Sequence, residues 1–199
     1  MRLILSLTIF SIHFIYGQNT IALGNTAPIC FKSESIISVD SIPNNLVGID
    51  AIIVLSNSTS SLDKTDIERI NQFVRSGGGL YIGAENWPMQ AEGKQLTEYI
   101  YNKSHFGTYK SQIAEKTSQQ NNLSLKEIDS IPSGSSIVAF PMDYRLKVEL
   151  WIENQPLILS GKHGKGRIVI DGGYSRFYCN QRTATTDLLL KEILNYITD

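Results

Sequence analysis

Residues 49–56 (IDAIIVLS) carry an almost unbroken apolar run that is rich in β-branched side chains. A run without polar alternation predicts a strand that is buried on both faces, as in a parallel sheet. The next segment predicts a helix with apolar side chains on one face, at Ile67, Ile70, Phe73 and Val74. Ser61 or Asp63 is placed to cap this helix, and three glycines at 77–79 end it. Residues 80–82 begin another strand, which completes the strand–helix–strand unit of a parallel crossover.

Further elements are predicted along the rest of the chain. A helix over 91–102 is expected to point Leu96, Tyr99 and Ile100 inward, and the polar segment 116–124 is expected to be a surface loop. Strands are predicted at 136–140, 146–152, 157–160 and 167–171, with a turn at 161–166. A closing helix over 185–198 would bury Leu188, Leu189, Ile193, Leu194 and Ile197. The predicted fold class is α/β: a three-layer sandwich with a mainly parallel sheet and an antiparallel hairpin addition near the C-terminus.

The first 17 residues have the composition of a secretory signal peptide. Met1 and Arg2 give a positive start, residues 3–16 are mostly apolar, and Gly17 is a small residue before the expected cleavage at Gln18. The apolar run is shorter than the roughly 20 residues of a membrane span. We therefore expect residues 18–199 to form one exported domain, secreted or periplasmic, with no membrane span after cleavage. An uncleaved N-terminal anchor is the alternative.

Composition restricts the partners of this domain. The formal net charge of −1 becomes −2 without Arg2, and no long basic run occurs, so no nucleic-acid partner is expected. Cys30 and Cys179 would remain in a compartment where disulfides persist. The two cysteines are candidates for one disulfide bridge, and the alternative is two buried free thiols.

Three segments together resemble the class I glutamine amidotransferase-like superfamily. They are the strand IDAIIVLS, the segment LDKTDIERINQFVRSGGGLYIG and the late GKGRIVIDGG with the helix after it, within 46–90 and 160–198. The resemblance implies a flavodoxin-like α/β domain. Because the shared features are mostly structural, they specify the fold better than the function.

The same resemblance argues against glutamine hydrolysis. Catalytic members carry a cysteine nucleophile in a Gly-x-Cys-x-Gly turn after a strand, with a histidine and an acid later in the chain. The corresponding turn here, residues 82–87 (IGAENW), contains neither a cysteine nor a serine nucleophile. We therefore expect a member of the superfamily that lacks this chemistry.

Other catalytic and metal-binding patterns do not occur in the sequence. It has no Gly-x-Ser-x-Gly elbow, no His-Glu-x-x-His, no P-loop and no EF-hand. After residue 17 the only histidines are His105 and His163, which are far apart, so neither a metal site nor a cofactor is predicted. Residues 161–166 are expected to expose Lys162, His163 and Lys165 on a hairpin turn.

Candidate functional residues follow the carboxyl ends of three predicted strands, where open α/β sheets bind ligands. They are Asn57 after the first strand, Glu85, Asn86 and Trp87 after the second, and Asp171, Tyr174, Arg176 and Tyr178 after the late one. If the late strand lies parallel to the others and beside them, these loops share one edge of the sheet. Glu85 and Asp171 would then form a candidate acid–base pair, and the aromatic side chains would contact a sugar or a protein.

A structural alternative exists for the same residues: Glu85 or Asp171 pairs with Arg176 to fix the loops, and the aromatic side chains close the core. The leading functional hypothesis is a non-catalytic binding domain that recognises a protein or glycan outside the cytoplasm. One alternative is a secreted hydrolase that acts on glycan or cell-wall material through Glu85 and Asp171. Another is a structural subunit of an envelope assembly. Carboxylates about 5 to 9.5 Å apart in an open cleft would favour the hydrolase.

Overall fold

The structure is a computed structural model that describes residues 19–31, 36–117, 121–128 and 130–199. The predicted signal peptide at residues 1–17 lies outside the described residues. The described helices are α1 (Lys64–Ser76), α2 (Ala91–Tyr101) and α3 (Ala184–Thr198), together with a 3-10 turn at Tyr174–Phe177. Within these ranges, no helix has the length and apolar character needed to span a membrane.

The strands of the described residues form one large sheet and one small sheet. They are β1 (Thr20–Gly24), β2 (Ile36–Ser38), β3 (Ala51–Leu55), β4 (Gly79–Gly83), β5 (Phe106–Tyr109), β6 (Ile113–Lys116), β7 (Ile131–Pro132), β8 (Ile137–Ala139), β9 (Leu146–Ile152), β10 (Gln155–His163) and β11 (Gly166–Asp171). The large sheet has the order β2-β1-β3-β4-β11-β10-β9-β6-β7, and β5 pairs with β8 in the small antiparallel sheet.

Parallel pairing dominates the half of the sheet that carries the candidate residues. Strands β2, β1, β3, β4 and β11 run parallel to one another, and β10, β9, β6 and β7 continue the sheet with antiparallel pairing. The α/β class and the mostly parallel sheet are therefore confirmed. The late strand β11 pairs directly with β4, which is the arrangement that the shared edge requires.

Strand β3 shows why the apolar run lacks alternation. Ile52 and Val54 pack in a cluster with apolar side chains of α1 and α2, whereas Ile53 and Leu55 pack in a second cluster with side chains of α3. Successive side chains of a strand point to opposite faces, so a strand buried on both faces needs apolar residues at every position.

Helix ends are set by specific side chains. Asp63, one of the two residues predicted as a cap, accepts a hydrogen bond from the Asp66 backbone N–H at 2.8 Å and begins α1. Gly77 ends this helix with a φ of 129°, a left-handed conformation that favours glycine. The inward placement of Tyr99 in α2 is wrong: Tyr99 is 49% exposed, and Tyr101 is buried with Leu96 and Ile100 instead.

Two other sequence predictions need correction. The turn at 161–166 is shorter than predicted, because 161–163 extend β10 and His163 pairs with Gly166 at the end of the hairpin. His163 is only partly exposed, and its Nε2 lies 2.7 Å from Asn71 Oδ1. The predicted strand at 136–140 exists as β8 but belongs to the small sheet with β5. Strand β5 is mostly exposed and has no alternation of apolar and polar positions to reveal it.

Cys30 and Cys179 form a disulfide bridge, with their Cα atoms 5.0 Å apart. The bridge joins the segment after β1 to the segment after the 3-10 turn. Backbone hydrogen bonds support the junction, since Ile29 pairs with Tyr178 and the Cys179 N–H donates to the Pro28 carbonyl at 2.9 Å.

Candidate functional site

The candidate residues lie together at the carboxyl edge of β3, β4 and β11. We call this edge the rim and define it as residues 56–57, 84–87 and 171–178. Backbone bonds join its three loops: the Ser56 N–H donates to the Gly83 carbonyl at 3.0 Å, and the Ala84 N–H donates to the Asp171 carbonyl at 2.8 Å. The sequence therefore identified residues that the sheet brings to one place.

Asp171 is the centre of a buried polar network. Its Oδ2 accepts hydrogen bonds from the Tyr81 hydroxyl at 2.7 Å and from Arg176 Nη1 at 2.8 Å, and its Oδ1 accepts from the Gly173 N–H at 2.9 Å. Arg176 Nη2 donates to the Ser133 carbonyl at 2.6 Å. Asp171 has no exposed surface, and its contacts are those of the structural alternative: the ion pair fixes the loop after β11.

Burial changes the ionisation of Tyr81 in this network. The pKa of Tyr81 is raised well above its ordinary value, first by burial and then by the negative charge of Asp171. The Tyr81 hydroxyl therefore remains a hydrogen-bond donor to Asp171 over the physiological pH range.

Glu85 is also buried, with 3% of its surface exposed. Its Oε1 accepts a hydrogen bond from the Ser175 N–H at 2.5 Å. Burial raises the pKa of Glu85 to about 7, although the bond from Ser175 and the charge of Arg176 oppose this change. The two candidate carboxyl groups thus have different surroundings, and neither presents its oxygens to an open cleft.

The two rim tyrosines hold the loop after β1 against the rim. The Tyr174 hydroxyl donates to the Ser56 carbonyl at 2.7 Å, and the Asn25 side-chain amide donates to the hydroxyls of Tyr174 and Tyr178 at 3.1 and 3.2 Å. Burial raises the pKa of both phenols. Tyr174 is buried and Tyr178 is partly exposed, so Tyr178 offers the larger contact surface. The sequence analysis did not identify Asn25 as a residue of this site. The one signal in the sequence is that Asn25 directly follows a short apolar segment, the later β1.

Asn57 is held by a second residue that sequence reasoning missed. The Asn57 N–H donates to Glu92 Oε2 at 2.7 Å, and the Ala91 N–H donates to the Asn57 carbonyl at 3.0 Å. Glu92 is fully buried in the first turn of α2, where the helix dipole favours a carboxylate. The sequence feature that could have identified Glu92 is its position as an acidic residue at the start of a predicted helix.

The loop that carries Trp87 is fixed by its own backbone. The Glu85 N–H donates to the Met89 carbonyl at 2.9 Å, and the Met89 N–H donates to the Asn86 carbonyl at 3.0 Å. Trp87 is 83% exposed. The Oδ1 of Asn86 is buried without a hydrogen-bond partner among the described residues. The rim therefore presents an exposed indole on an ordered turn above a buried polar network.

No group of three or more metal-ligating side chains occurs within the described ranges. His105 and His163 lie in separate environments. His105 is buried against Phe140, and burial lowers its pKa to about 4. His163 faces Asn71 at the end of the β10–β11 hairpin.

No protein-family model matches the sequence, and no curated protein sequence matches it either. Solved structures are similar in fold. The cytoplasmic protein STM1381 from Salmonella typhimurium LT2 matches with a TM-score of 0.67 and 11% identity, over 92% of this chain and 100% of that chain. The cytoplasmic protein STM3548 from Salmonella typhimurium matches with a TM-score of 0.63 and 17% identity, over 83% of this chain and 82% of that chain.

A ThuA-like protein from Parabacteroides merdae ATCC 43184 matches with a TM-score of 0.64 and 8% identity, over 91% of this chain and 90% of that chain. ThuA has a glutamine amidotransferase-like fold. Similarity at these identities concerns the fold alone. The chain therefore shares the fold of these structures, and its likeness to a ThuA-like protein supports the class I glutamine amidotransferase-like fold that its strand and helix segments resemble.

Proposed function

We propose that this chain is an exported, non-catalytic binding domain, a three-layer sandwich that recognises a protein or glycan through its rim. The observation that carries this proposal is the exposed indole of Trp87. Trp87 follows Glu85 by two residues, whereas the side chains of Glu85, Asp171 and Arg176 are buried and hydrogen-bonded. Exposed aromatic side chains on ordered loops are favourable contact residues for both classes of partner.

The absence of a usable nucleophile supports binding without catalysis. The turn after β4 carries Ala84 and Glu85, where catalytic members of the resembled superfamily have their cysteine. Both cysteines of the chain are joined in the disulfide, so neither provides a thiolate.

The disulfide also supports export, because such bridges persist in oxidising compartments and are rare in the cytosol. It lies next to Tyr178, at the rim itself. A protein working outside the cytoplasm would keep this bridge, and with it the packing of Asn25 against the two rim tyrosines. Export and the ordered rim are therefore consistent parts of one proposal.

The hydrolase alternative depends on Glu85, whose pKa of about 7 suits a general acid. Its oxygens, however, are buried and bonded to Ser175, and Asp171 is bonded to Arg176. A hydrolase would have to open the rim before these carboxyl groups reached a substrate. Purified protein assayed on glycan and cell-wall fragments tests this alternative. Activity that survives both Glu85→Gln and Asp171→Asn would exclude the assigned residues.

Trp87 allows a direct test of rim binding. The chain has two tryptophans, and Trp151 lies in β9, outside the residues that define the rim. A Trp151→Phe variant therefore makes Trp87 the sole tryptophan reporter. We expect its emission to shift to shorter wavelength when a partner covers the indole. The probes are neutral oligosaccharides and envelope proteins extracted from the source organism.

The variant that removes the indole is Trp87→Ala. Its retention is compared with that of the wild type on the same probes after they have been immobilised. We expect at least a tenfold loss of retention, since an aromatic contact at the centre of an interface contributes about 2 kcal/mol or more. If no probe of either class is retained in a Trp87-dependent way, the proposal is wrong. Stoichiometric co-purification with one envelope protein would instead favour the structural-subunit alternative.

A further inference from the structure

A second solvent-facing surface lies at the opposite edge of the sheet from the rim. Here β11 begins, β10 ends, and α3 reaches its last turn. A groove of about 490 Å³ opens between these elements and the start of β9. We call it the basic groove and define it by the cations Arg145, Lys147, Lys162 and Arg167 and the aromatics Tyr144 and Tyr196, all of which line it. Its volume is in the range of small-molecule sites.

Strand register explains why the cations converge. Lys162 of β10 pairs with Arg167 of β11, and Ser160, two residues before Lys162, pairs with Lys147 of β9. Side chains two residues apart on a strand share a face, so Lys147, Lys162 and Arg167 lie on one face of the sheet. On β11 this is the face on which Val169 packs with side chains of α3. The cations therefore lie on the face of the sheet that α3 covers, just past the last turn of that helix.

Packing does not account for all of this charge. Like charges directly opposite each other on paired strands are destabilising, and Lys162 faces Arg167 in this way. Arg167 is partly offset by the Tyr196 carbonyl at 2.9 Å and by Asp199 at 3.3 Å. Lys162 makes no ion pair with any described residue. Arg145 is already paired with Asp143, at 2.7 Å, outside the lining. Among the described lining residues, Asp199 carries the only carboxylate.

Two tyrosines flank the cations. Tyr144 is 95% exposed, and the guanidinium carbon of Arg145 lies 5.6 Å from its ring centroid. Tyr196 is partly exposed, and the guanidinium carbon of Arg167 lies 5.3 Å from its ring centroid. Ring faces beside charged donors suit a ligand that combines a flat apolar face with an anionic group.

We propose that the basic groove binds an acidic saccharide. Its carboxylate or sulfate would lie between Lys162 and Arg167, and one face of the sugar would lie against Tyr144 or Tyr196. A nucleic acid is the less suitable occupant, because such a polymer needs an extended basic surface along its phosphate backbone, whereas the cations here line one groove of about 490 Å³. This site is separate from the rim and does not depend on the function proposed there.

Isothermal titration calorimetry with defined sugars tests the proposal. The probes are trigalacturonate, its sulfated counterpart, the neutral trisaccharide galactotriose, and AMP as a nucleotide. We expect the acidic sugars to bind at least about tenfold more tightly than galactotriose, the strength of a charge-assisted contact. The stronger of the two acidic sugars identifies the anionic group, and binding should weaken as salt is added.

Lys162→Glu separates binding from folding. The new carboxylate would face Arg167 across the strands, so the variant should be at least as stable as the wild type while binding acidic sugars at least about tenfold more weakly. Lys110→Glu is the matched control, because it makes the same charge change on an exposed turn outside the groove. Its affinity should stay within about twofold of wild type.

Three results would overturn the proposal: equal binding of acidic and neutral sugars, wild-type affinity in Lys162→Glu, or tighter binding of AMP than of the acidic sugars. Trp87→Ala should leave binding in the basic groove unchanged. A failure of the rim proposal would therefore be distinguishable from a failure of this one.

Discussion

At the scale of single residues, Glu85 and Asp171 are both buried, but their partners differ. Asp171 is bonded to the guanidinium of Arg176, which compensates its charge. Glu85 is bonded to a backbone N–H, which leaves much of the cost of burying a charge uncompensated. The raised pKa of Glu85 follows from this difference, and it has a measurable consequence for stability.

The contribution of Glu85 to stability should fall as pH rises. Its pKa increases from 4.5 to about 7 on folding, so between these values the folded protein holds a proton that the unfolded chain has released. Linkage then requires the free energy of unfolding to decrease with pH across this window and to level off above it. The variant Glu85→Gln keeps an acceptor for the Ser175 N–H but does not titrate.

Urea denaturation of both proteins at pH 5 and pH 8 measures this effect. Relative to Glu85→Gln, the wild type should lose stability between the two pH values by at most about 3 kcal/mol. Subtracting the variant removes other titrating groups, including Glu149, whose pKa burial also raises. A constant difference between the two proteins would mean that Glu85 is not protonated in the folded state at pH 5.

At the scale of elements, β11 and the 3-10 turn are joined through their side chains. Asp171 is the last residue of β11, Arg176 belongs to the turn, and the Arg176 guanidinium also reaches the Ser133 carbonyl before β8. One cation therefore fixes three segments around the rim. Asp171 and Arg176 therefore have a structural role, although the sequence pattern also made them candidates for a functional site.

Removal of Arg176 should destabilise the protein strongly. In Arg176→Met, Asp171 becomes a buried carboxylate without its cation, a change that costs about 3 to 5 kcal/mol in comparable cases. Thermal or urea unfolding measures the loss. Adding Asp171→Asn to this variant should recover part of it, because Asp171 then no longer leaves an unpaired carboxylate in the core. A single variant within 1 kcal/mol of wild type would contradict this structural role.

At the scale of the whole molecule, the disulfide connects distant parts of the chain. Cys30 and Cys179 are separated by 149 residues, and the bridge ties the first parallel strand to the end of the rim. In the chain-entropy account, closing a loop of this length restricts the unfolded ensemble by about 5 kcal/mol. Measured contributions of native bridges are usually somewhat smaller.

Replacing both cysteines with alanine should lower the free energy of unfolding by about 2 to 5 kcal/mol. Thermal unfolding with and without reductant gives the measurement. The wild type should shift to the stability of the double variant when reduced, whereas the variant should not respond. If reductant leaves the wild-type transition unchanged while both thiols become titratable, the bridge does not carry this stability.

The sequence by itself determined the elements with a strong local pattern. The apolar run at 49–56, the capped helix after it and the glycine-terminated crossover are recorded in consecutive residues, because side-chain periodicity and capping are local properties. The carboxyl-edge rule then predicted which loops lie together, and the pairing of β4 with β11 confirmed it.

Only the tertiary structure decided which of the candidate residues are exposed to a ligand and which are bonded to other parts of the chain. Whether Asp171 faces a substrate or Arg176, and whether Cys30 meets Cys179, depends on distances between segments that are far apart in the chain. The basic groove depends on the register of β9, β10 and β11. This register places Lys162 opposite Arg167 and brings Lys147 to the same face of the sheet. Local patterns contain no information on such distances, because burial and pairing arise only when the whole sheet assembles.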